Sequence, residues 1–205
     1  TNNQMQHIKH ILKKIFLLLS FMWLYYSTQA QNPFIENQGQ LPSHVISKTH
    51  LPSGVLFMEK AKFTYAFYNG QQLKEIHDRQ LNQESIDAHA YTVSFLNTNN
   101  NSSSYLLDQS SFYENYFIGE KKNWTTKVKS FKTHLQKDIY SGVDLLLFVV
   151  NDQLKFELHI APNKNTKPIK LKYEGLEKLQ IIDKDILCKT SVNLVKEHHP
   201  YAYQI

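Results

Sequence analysis

The stretch VDLLLFVVNDQLKFELHI, residues 143 to 160, decides the fold. Asn151 and Asp152 divide it into two apolar-rich halves, and both residue types tolerate the positive φ angles of a two-residue type I′ turn. The pattern therefore predicts a β-hairpin with a fixed register, in which Val143 lies opposite Ile160.

One face of this hairpin is wholly apolar, because successive strand residues alternate between the two faces. The pairs on it are Val143 with Ile160, Leu145 with Leu158, Leu147 with Phe156, and Val149 with Leu154. Burying one such side chain contributes roughly 1.5 to 3 kcal/mol, whereas ordering the backbone of one residue costs about 1 to 2 kcal/mol. The hairpin is therefore expected to lay its apolar face on a second layer.

Further strand patterns recur at roughly ten-residue spacing, which is typical of an antiparallel sandwich. The predicted strands are Val55–Glu59 and Phe63–Tyr68, which form a second hairpin, then His89–Leu96, Tyr105–Asp108, Phe112–Ile118, Lys127–Thr133, Leu135–Tyr140, Ile169–Glu174, Lys178–Ile182, Ile186–Thr190 and Val192–Lys196. Residues 71–85 are the one candidate helix, with a surface loop as the alternative because the apolar stripe is thin. Asn97–Ser104 is a polar loop. The fold class is all-β: an antiparallel β-sandwich-like domain.

The N-terminal segment has the pattern of a secretory signal peptide. Lysines at positions 9, 13 and 14 precede the apolar run Ile15–Tyr26, which is shorter than the roughly 20 residues of a membrane-spanning helix. Thr28 and Ala30 are small residues at the positions a signal peptidase reads, which predicts cleavage before Gln31, with Met5 as the true start. An uncleaved membrane anchor is the alternative. We predict a signal-peptide helix over residues 1–30, a secreted or cell-surface location, and one β-rich domain over residues 31–205, truncated at its C-terminus.

The charge of the cleaved chain argues against nucleic-acid binding. Residues 1–30 hold three of the 23 basic residues and none of the 18 acidic ones, so cleavage leaves 20 basic against 18 acidic residues and lowers the net charge from +5 to +2. A nearly neutral domain lacks the electrostatic footprint of a nucleic-acid-binding protein.

The single cysteine, Cys188, excludes an intramolecular disulfide framework. It lies in the apolar run Ile186-Leu187-Cys188, and no His or Asp is tied to it by the spacing of a nucleophilic site. We interpret it as a small buried hydrophobic residue.

Five segments, read in order, resemble a domain of unknown function found near the N-terminus of large secreted or cell-surface proteins of Bacteroidota. They are FIENQGQLP (34–42), HAYTVSFL (89–96), NYFIGEKKNW (115–124), YSGVDLLLF with LKFELHIAP (140–162), and PYAYQ (200–204). The resemblance implies an all-β module whose partners are downstream β-propeller-like or PKD-type repeats, followed by a C-terminal sorting or gliding-motility-associated domain. Those regions, and the strands usual after PYAYQ, are absent from this sequence, which leaves the route across the outer membrane open. The resemblance provides no catalytic residues.

Several polar residues are candidates for a catalytic or metal-binding role. Asp144 opposite His159 is half of a nucleophilic triad, but no motif places a serine, so we interpret the pair as a cross-strand ion pair or hydrogen bond. Asp87 with His89, and His198 with His199, do not have zinc-site spacing and are interpreted as solvated side chains. The aspartates at positions 108, 138, 144 and 152 form no twelve-residue calcium loop. No catalytic, metal or cofactor residue is predicted.

Aromatic side chains are numerous enough to form a ligand platform, although core packing accounts for most of them. These aromatic residues are Tyr65, Tyr68, Tyr91, Tyr113, Tyr116, Trp124, Tyr201 and Tyr203. Trp124, Tyr116 and Tyr113 are the candidate ligand-binding residues, with Trp124 first because it lies in the turn-rich sequence GEKKNWTT. The chain carries no P-loop and no G-x-S-x-G elbow.

These observations favour a non-catalytic structural or binding module of an exported protein. Its expected partners are the downstream domains of the same polypeptide and an extracellular glycan or protein, with a membrane contacted only through the signal peptide. A carbohydrate-binding module is the alternative, and an extracellular hydrolase is a weaker one.

Overall fold

The computed structural model describes residues 33–79 and 84–204. The predicted signal peptide and its cleavage site lie outside these residues, as do residues 80–83 of the candidate helical segment. The described chain forms thirteen strands, one α-helix and one 3₁₀ helix. They are β1 (Phe34–Glu36), β2 (Val45–Leu51), β3 (Gly54–Glu59), β4 (Lys62–Tyr68), α1 (Gly70–His77), β5 (Ala88–Phe95), β6 (Ser103–Tyr116), a 3₁₀ helix (Lys121–Asn123), β7 (Thr125–Tyr140), β8 (Val143–Val150), β9 (Gln153–Ile160), β10 (Leu171–Glu174), β11 (Lys178–Ile182), β12 (Asp185–Lys189) and β13 (Leu194–Glu197).

The all-β fold class is confirmed. Ten antiparallel strands form one sheet in the order β10-β5-β4-β3-β2-β1-β7-β8-β9, with β6 paired to β7, and strands β11 to β13 form a second sheet. Phe131 of β7 pairs with Phe34 of β1 and with Gln109 of β6, so β1 and β6 lie on opposite edges of β7. Further along β7, Thr133 pairs with Phe148 of β8 and with Leu107 of β6, so β1 and β8 share one edge. The sheet therefore divides at β7 into a larger leaf, β1 to β5 with β10, and a smaller leaf, β8 with β9.

The central hairpin is confirmed residue by residue. Val143 pairs with Ile160, and the register continues without a shift to Val150 and Gln153. Asn151 and Asp152 have φ angles of 52° and 60°, as a type I′ turn requires.

The expectation that the whole apolar face of the hairpin is buried is wrong for β9. The four β8 residues on that face are at most 1% exposed, but Phe156 and Ile160 of β9 are 40% and 42% exposed. The reason is position: β8 is flanked on both sides, whereas β9 is the last strand of its sheet.

Four predicted short strands are in fact two long ones. Residues 105–116 and 127–140 fall in the paired strands β6 and β7, whose register shifts between Gln109 and Tyr113 and again near both ends of β7. The end of the strand predicted over 112–118, Phe117 and Ile118, lies beyond β6. Positive φ angles at Asp108, Lys127 and Asp138 accompany these irregularities. Each irregularity interrupts the alternation of side chains between the two faces of the sheet, so the local sequence pattern resembles the end of a strand.

The other predicted strands are present, with ends that differ by up to two residues, and the polar loop predicted over 97–104 ends at residue 102 because β6 begins at Ser103. The second hairpin is β3 with β4, the strand at 89–96 is β5, and residues 97–102 form a loop. The candidate helix forms as α1, where the side chain of Asn69 caps the N-terminus by accepting from the amides of Gln71 and Gln72.

The core lies between the two leaves, and polar side chains of β7 help to join them. Gln136 is 1% exposed, accepts a hydrogen bond from the Ala61 amide at 2.9 Å and donates to the Glu59 carbonyl at 2.8 Å. Tyr140 donates from its hydroxyl to the Leu96 carbonyl at 2.9 Å. The apolar part of the core consists of Phe34, Leu56, Met58, Ala61, Phe63, Tyr65, Phe67, Tyr91, Val93, Phe95, Ile139, Tyr140, Val143, Leu145, Leu147, Val149 and Cys188.

His134, also on β7, is fully buried in this interior. Its Nδ1 lies 2.8 Å from the Ser47 hydroxyl, and its ring packs edge-on against Phe34 at 5.9 Å between centroids. Its Nε2 has no hydrogen-bond partner in the described residues. Burial lowers the pKa of His134 to about 4, so the ring is neutral at pH 7.

We predict that this histidine makes the fold acid-sensitive. The unfolded chain takes up the proton near the ordinary pKa of 6.5 and the folded chain only near 4, so stability is complete above about pH 6.5 and falls as the pH approaches 4. The loss should reach about 2 to 3 kcal/mol by pH 4.5. Urea unfolding at a series of pH values measures it. His134→Leu should flatten this part of the profile, and substitution of the exposed His44 by Gln should not. Equal slopes for the wild type and His134→Leu would contradict the prediction.

Candidate functional site

The most exposed apolar surface of the long β6–β7 ribbon is at its outer end. We call this surface the aromatic tip, and it consists of Phe112, Tyr113, Phe117, Ile118 and Trp124. Their exposed fractions run from 42% for Trp124 to 72% for Ile118. The structure thus places Trp124 and Tyr113, two residues singled out from the sequence, at the same ribbon end as Phe112, Phe117 and Ile118, which were not, and the ring contact among them is that of Phe117 with Trp124.

The chain reversal at the tip fixes the indole of Trp124. Gly119 has a φ of 67°, a conformation that favours glycine, and the 3₁₀ helix Lys121–Asn123 follows it. The indole Nε1–H donates to the Gly119 carbonyl at 3.3 Å. The ring meets Phe117 edge-on, with centroids 5.0 Å apart and planes at 68°. The two rings therefore support each other in a defined arrangement, although both are exposed.

Tyr116, the third residue singled out, is half-buried and braces the ribbon. Its hydroxyl donates to the carboxylate of Glu114. The Nζ of Lys48, from β2, lies 5.1 Å from the centroid of its ring. Both its polar group and one ring face are therefore occupied by intramolecular contacts.

Glu114 is the centre of this brace. One oxygen lies 3.2 Å from the Nζ of Lys48 and the other lies 3.2 Å from Nε2 of His50, so the β6 carboxylate holds two side chains of β2. Burial by itself raises the pKa of Glu114, but the hydrogen bonds from Tyr116 and Lys48 and the Lys48 charge outweigh it and lower the pKa below its ordinary value. Lys48 is 9% exposed, which makes this an inner ion pair rather than a surface one.

The Asp144–His159 pair does not form a catalytic unit. The two residues are opposed in the register, as predicted, and border a shallow cavity of about 310 Å³. Asp144 accepts a hydrogen bond from the Asp138 amide at 2.7 Å, and Nε2 of His159 lies 2.9 Å from Glu157. The predicted ion pair or hydrogen bond between Asp144 and His159 is therefore wrong, because each side chain has a nearer partner along the chain.

His198 and His199 are exposed, with 73% and 57% of their side chains accessible, as expected for solvated residues, and both also contact a carboxylate. Their Nδ1 atoms lie 3.5 Å and 3.1 Å from Asp185, which also accepts from the Nζ of Lys196 at 2.8 Å. The hydrogen bonds from Lys196 and from the backbone and ring of His199 lower the pKa of Asp185 well below its ordinary value.

Asp87 and His89 do not act together. Asp87 exchanges hydrogen bonds with the side chain of Gln72, whereas His89 contacts the Gly175 carbonyl and the Ser191 hydroxyl. In residues 33–79 and 84–204, no three His, Cys, Asp or Glu side chains are arranged to hold a metal ion.

Cys188 is buried, as the sequence predicted, and it lies in a polar contact that the sequence did not reveal. Its Sγ is 4.0 Å from Glu197, whose carboxylate accepts from the Tyr173 hydroxyl at 2.7 Å. Burial first, and the Glu197 carboxylate second, raise the pKa of the Cys188 thiol to about 12, so the reactive thiolate is suppressed. The site joins β10 to the second sheet.

Comparison with known proteins gives one family. The family described as a domain of unknown function, DUF7948, matches residues 34–205. The chain belongs to this family. No curated protein and no solved structure that was compared matches the chain. The resemblance of the five segments to a domain of unknown function is confirmed at this level, and the family itself assigns no residue roles.

In this DUF7948 domain, the described helices include none that is both long and apolar enough to cross a membrane.

The other aromatic candidates of the domain lie away from the aromatic tip. Tyr65 and Tyr91 stack in the core at 4.7 Å, and Tyr201 stacks on Tyr203 at 5.8 Å near the end of the described chain. Trp124 and Tyr113 are therefore the sequence-selected residues that remain as candidates for ligand contact at the tip.

We predict that the brace under the tip is important for stability. Glu114→Gln removes the charge opposite Lys48 and should lower the free energy of unfolding by about 1.5 to 3 kcal/mol, the value of a hydrogen bond to a charged group. Urea denaturation measures the change. Glu120→Gln is the control, because the Glu120–Lys122 pair is 73% exposed on both sides and should contribute less than about 1 kcal/mol. Equal effects of the two substitutions would contradict the role assigned to Glu114.

Proposed function

We propose that this DUF7948 domain is a non-catalytic structural or binding module of an exported protein, and that the aromatic tip is its contact surface. The observation that carries the proposal is the exposure of five large apolar side chains on one braced ribbon end. Exposed apolar clusters on a folded domain commonly mark interaction sites.

The chemistry of the tip favours a protein as the partner. Ile118, the most exposed member, is aliphatic, and the Phe117 and Trp124 rings stand edge-to-face instead of forming one flat platform. The charged side chains of Glu120, Lys121 and Lys122 lie beside them on the surface. An apolar centre with aromatic groups and a charged rim is the composition of a protein-binding hot spot.

The brace supports the same function. A binding surface presented on a mobile loop has to be ordered when the partner binds, which reduces affinity. Here the Glu114 contacts to β2 and the Trp124 hydrogen bond to Gly119 order the tip before binding. The conformational entropy of the tip is therefore lost when the domain folds and does not have to be lost again when the partner binds.

Export is supported by the signal-peptide pattern of residues 1–30 and by the resemblance to modules of secreted Bacteroidota proteins. In this proposal the domain works outside the cytoplasm, secreted or at the cell surface. Its partners are the domains expected after it in the same polypeptide, or another extracellular protein.

We predict that a photo-cross-linking amino acid placed at Phe117 captures a protein. The chain is produced in its natural host with p-benzoylphenylalanine at position 117, and covalent adducts are identified after irradiation. The same amino acid at Tyr201, which is 83% exposed but outside the tip, is the control. A protein adduct should form at 117 only, and Trp124→Ala in the same chain should reduce it at least about tenfold, as expected for a hot-spot residue. No adduct at 117, or the same adduct at 201, would contradict a protein-binding tip.

Carbohydrate binding is the second candidate, favoured by the 42% exposure of Trp124 beside the hydrogen-bonding groups of Lys121 and Lys122. It predicts binding on an array of extracellular glycans that Trp124→Ala abolishes and Tyr201→Ala leaves intact. An array without binding, or binding that survives Trp124→Ala, would remove this candidate.

A further inference from the structure

Strand β9 is a regular edge strand. It has eight residues, pairs with β8 without a register shift, and pairs with no other strand in the described parts of the chain. Long regular edges usually carry some feature that prevents another strand from pairing, such as a bulge or proline. The outer edge of β6 has bulges, whereas β9 has no bulge and no proline, and the charged residues that it carries near its centre, Lys155 and Glu157, are of opposite sign.

The free backbone groups of β9 belong to its apolar residues. A two-residue turn makes Val150 and Gln153 a hydrogen-bonded pair, and such pairs alternate along an antiparallel ladder. The amides and carbonyls of Gln153, Lys155 and Glu157 therefore face β8. Those of the alternate residues, Leu154, Phe156 and Leu158, point away from the sheet.

The side chains of these same residues form an incompletely covered apolar surface. Leu154 and Leu158 are half-buried, and Phe156 and Ile160 are 40% and 42% exposed. A strand added to this edge would thus gain main-chain hydrogen bonds and would also extend the apolar face that β8 buries.

The charged residues of β9 indicate which strand could pair with its free edge. Lys155 and Glu157 flank Phe156. If a second copy pairs antiparallel with β9 about a two-fold axis at Phe156, Lys155 of each chain lies opposite Glu157 of the other, which gives two pairs of opposite charges. The same register places Leu154 opposite Leu158 and Phe156 opposite its own equivalent. Opposite charges and apolar residues directly across a ladder stabilise antiparallel pairing.

We propose that the occupant of this edge is a second copy of the chain, paired antiparallel through β9 about a two-fold axis at Phe156. Leu154, Phe156 and Leu158 of each copy exchange backbone hydrogen bonds across the interface. The symmetry makes the assembly a closed dimer. Glu157, now 2.9 Å from His159, becomes the partner of Lys155 in the other copy.

One other edge has the same sequence pattern. Strand β10, at the opposite end of the ten-stranded sheet, reads Leu-Lys-Tyr-Glu at 171–174, as β9 reads Leu-Lys-Phe-Glu at 154–157. Pairing of β9 with β10 of a second copy would match charges equally and would build an open chain of molecules. The four-residue length of β10 and the engagement of the Tyr173 hydroxyl with Glu197 favour the β9 pair.

The test is a charge series measured by sedimentation equilibrium over a range of protein concentrations. Lys155→Glu and Glu157→Lys each create two like-charge pairs across the proposed interface and should each weaken dimerisation roughly tenfold. The double swap Lys155→Glu with Glu157→Lys restores both pairs and should return the dissociation constant to within about threefold of the wild type. Lys172→Glu, the matched change on β10, should have no effect.

Each contrary outcome overturns the proposal. A wild-type chain that stays monomeric at the highest concentration excludes it. Failure of the double swap to restore dimerisation, with weakening by Lys172→Glu, indicates the β9–β10 arrangement instead. Thermal unfolding of every variant shows that the fold is retained.

A cross-link tests the register separately. Phe156→Cys places two thiols on residues about 5.5 Å apart at Cα in a hydrogen-bonded pair, within disulfide range. It should form a covalent dimer on mild oxidation. Leu158→Cys is the control, because its two copies are offset by four residues, roughly 13 Å. Cys188 is fully buried and should not react. No cross-link from Phe156→Cys, or an equal yield from Leu158→Cys, would overturn the register.

Discussion

The structure depends on covering the inner face of β8. Its four apolar side chains are at most 1% exposed, and no hairpin can bury them by itself. The chain covers them with a second leaf of the same sheet, so one strand, β7, has to pair with β8 along one part and with β1 along another. Polar groups on β7 then fall inside the core. Gln136 is satisfied by the turn between β3 and β4, whereas His134 has one ring nitrogen without a partner among the described residues, a cost of the fold.

Local chemistry explains what the sequence predicted correctly. The Asn151-Asp152 turn requires only residues that tolerate positive φ, and the register follows from it without any knowledge of the rest of the chain. The half-exposure of Phe156 was not predictable in this way, because it depends on β9 being the last strand. The continuity of β6 and β7 was missed because residues such as Asp108 and Lys127 adopt positive φ inside a strand, where a sequence pattern predicts an end.

The same distinction between local and long-range features applies to the candidate site. Trp124 was found because exposed aromatic groups are expected in turn-rich segments, and its position at the ribbon end agrees. The ion pair of Lys48 with Glu114 was not found, because it joins β2 to β6 and no local pattern records which distant strands meet. Asp144 and His159 illustrate the converse. Their opposition in the ladder was predicted correctly, yet side-chain partners depend on local backbone geometry, here the amide of Asp138 at an irregularity of β7, which the register does not specify.

The tip and the β9 edge are both exposed and apolar, but their backbones suit them to different kinds of contact. At the tip, bulges and a 3₁₀ helix interrupt the ladder, so recognition there has to rely on side chains such as Trp124. At β9 the ladder is regular, and backbone groups can direct pairing while Lys155 and Glu157 select the register. Because the two surfaces are on different strands, pairing at β9 leaves the tip residues of each copy outside the new ladder. A dimer would therefore carry two tips, and two weak contacts on one partner combine through effective concentration. Dimerisation through β9 would in this way raise the avidity of the aromatic tip, although the tip and the dimer interface share no strand.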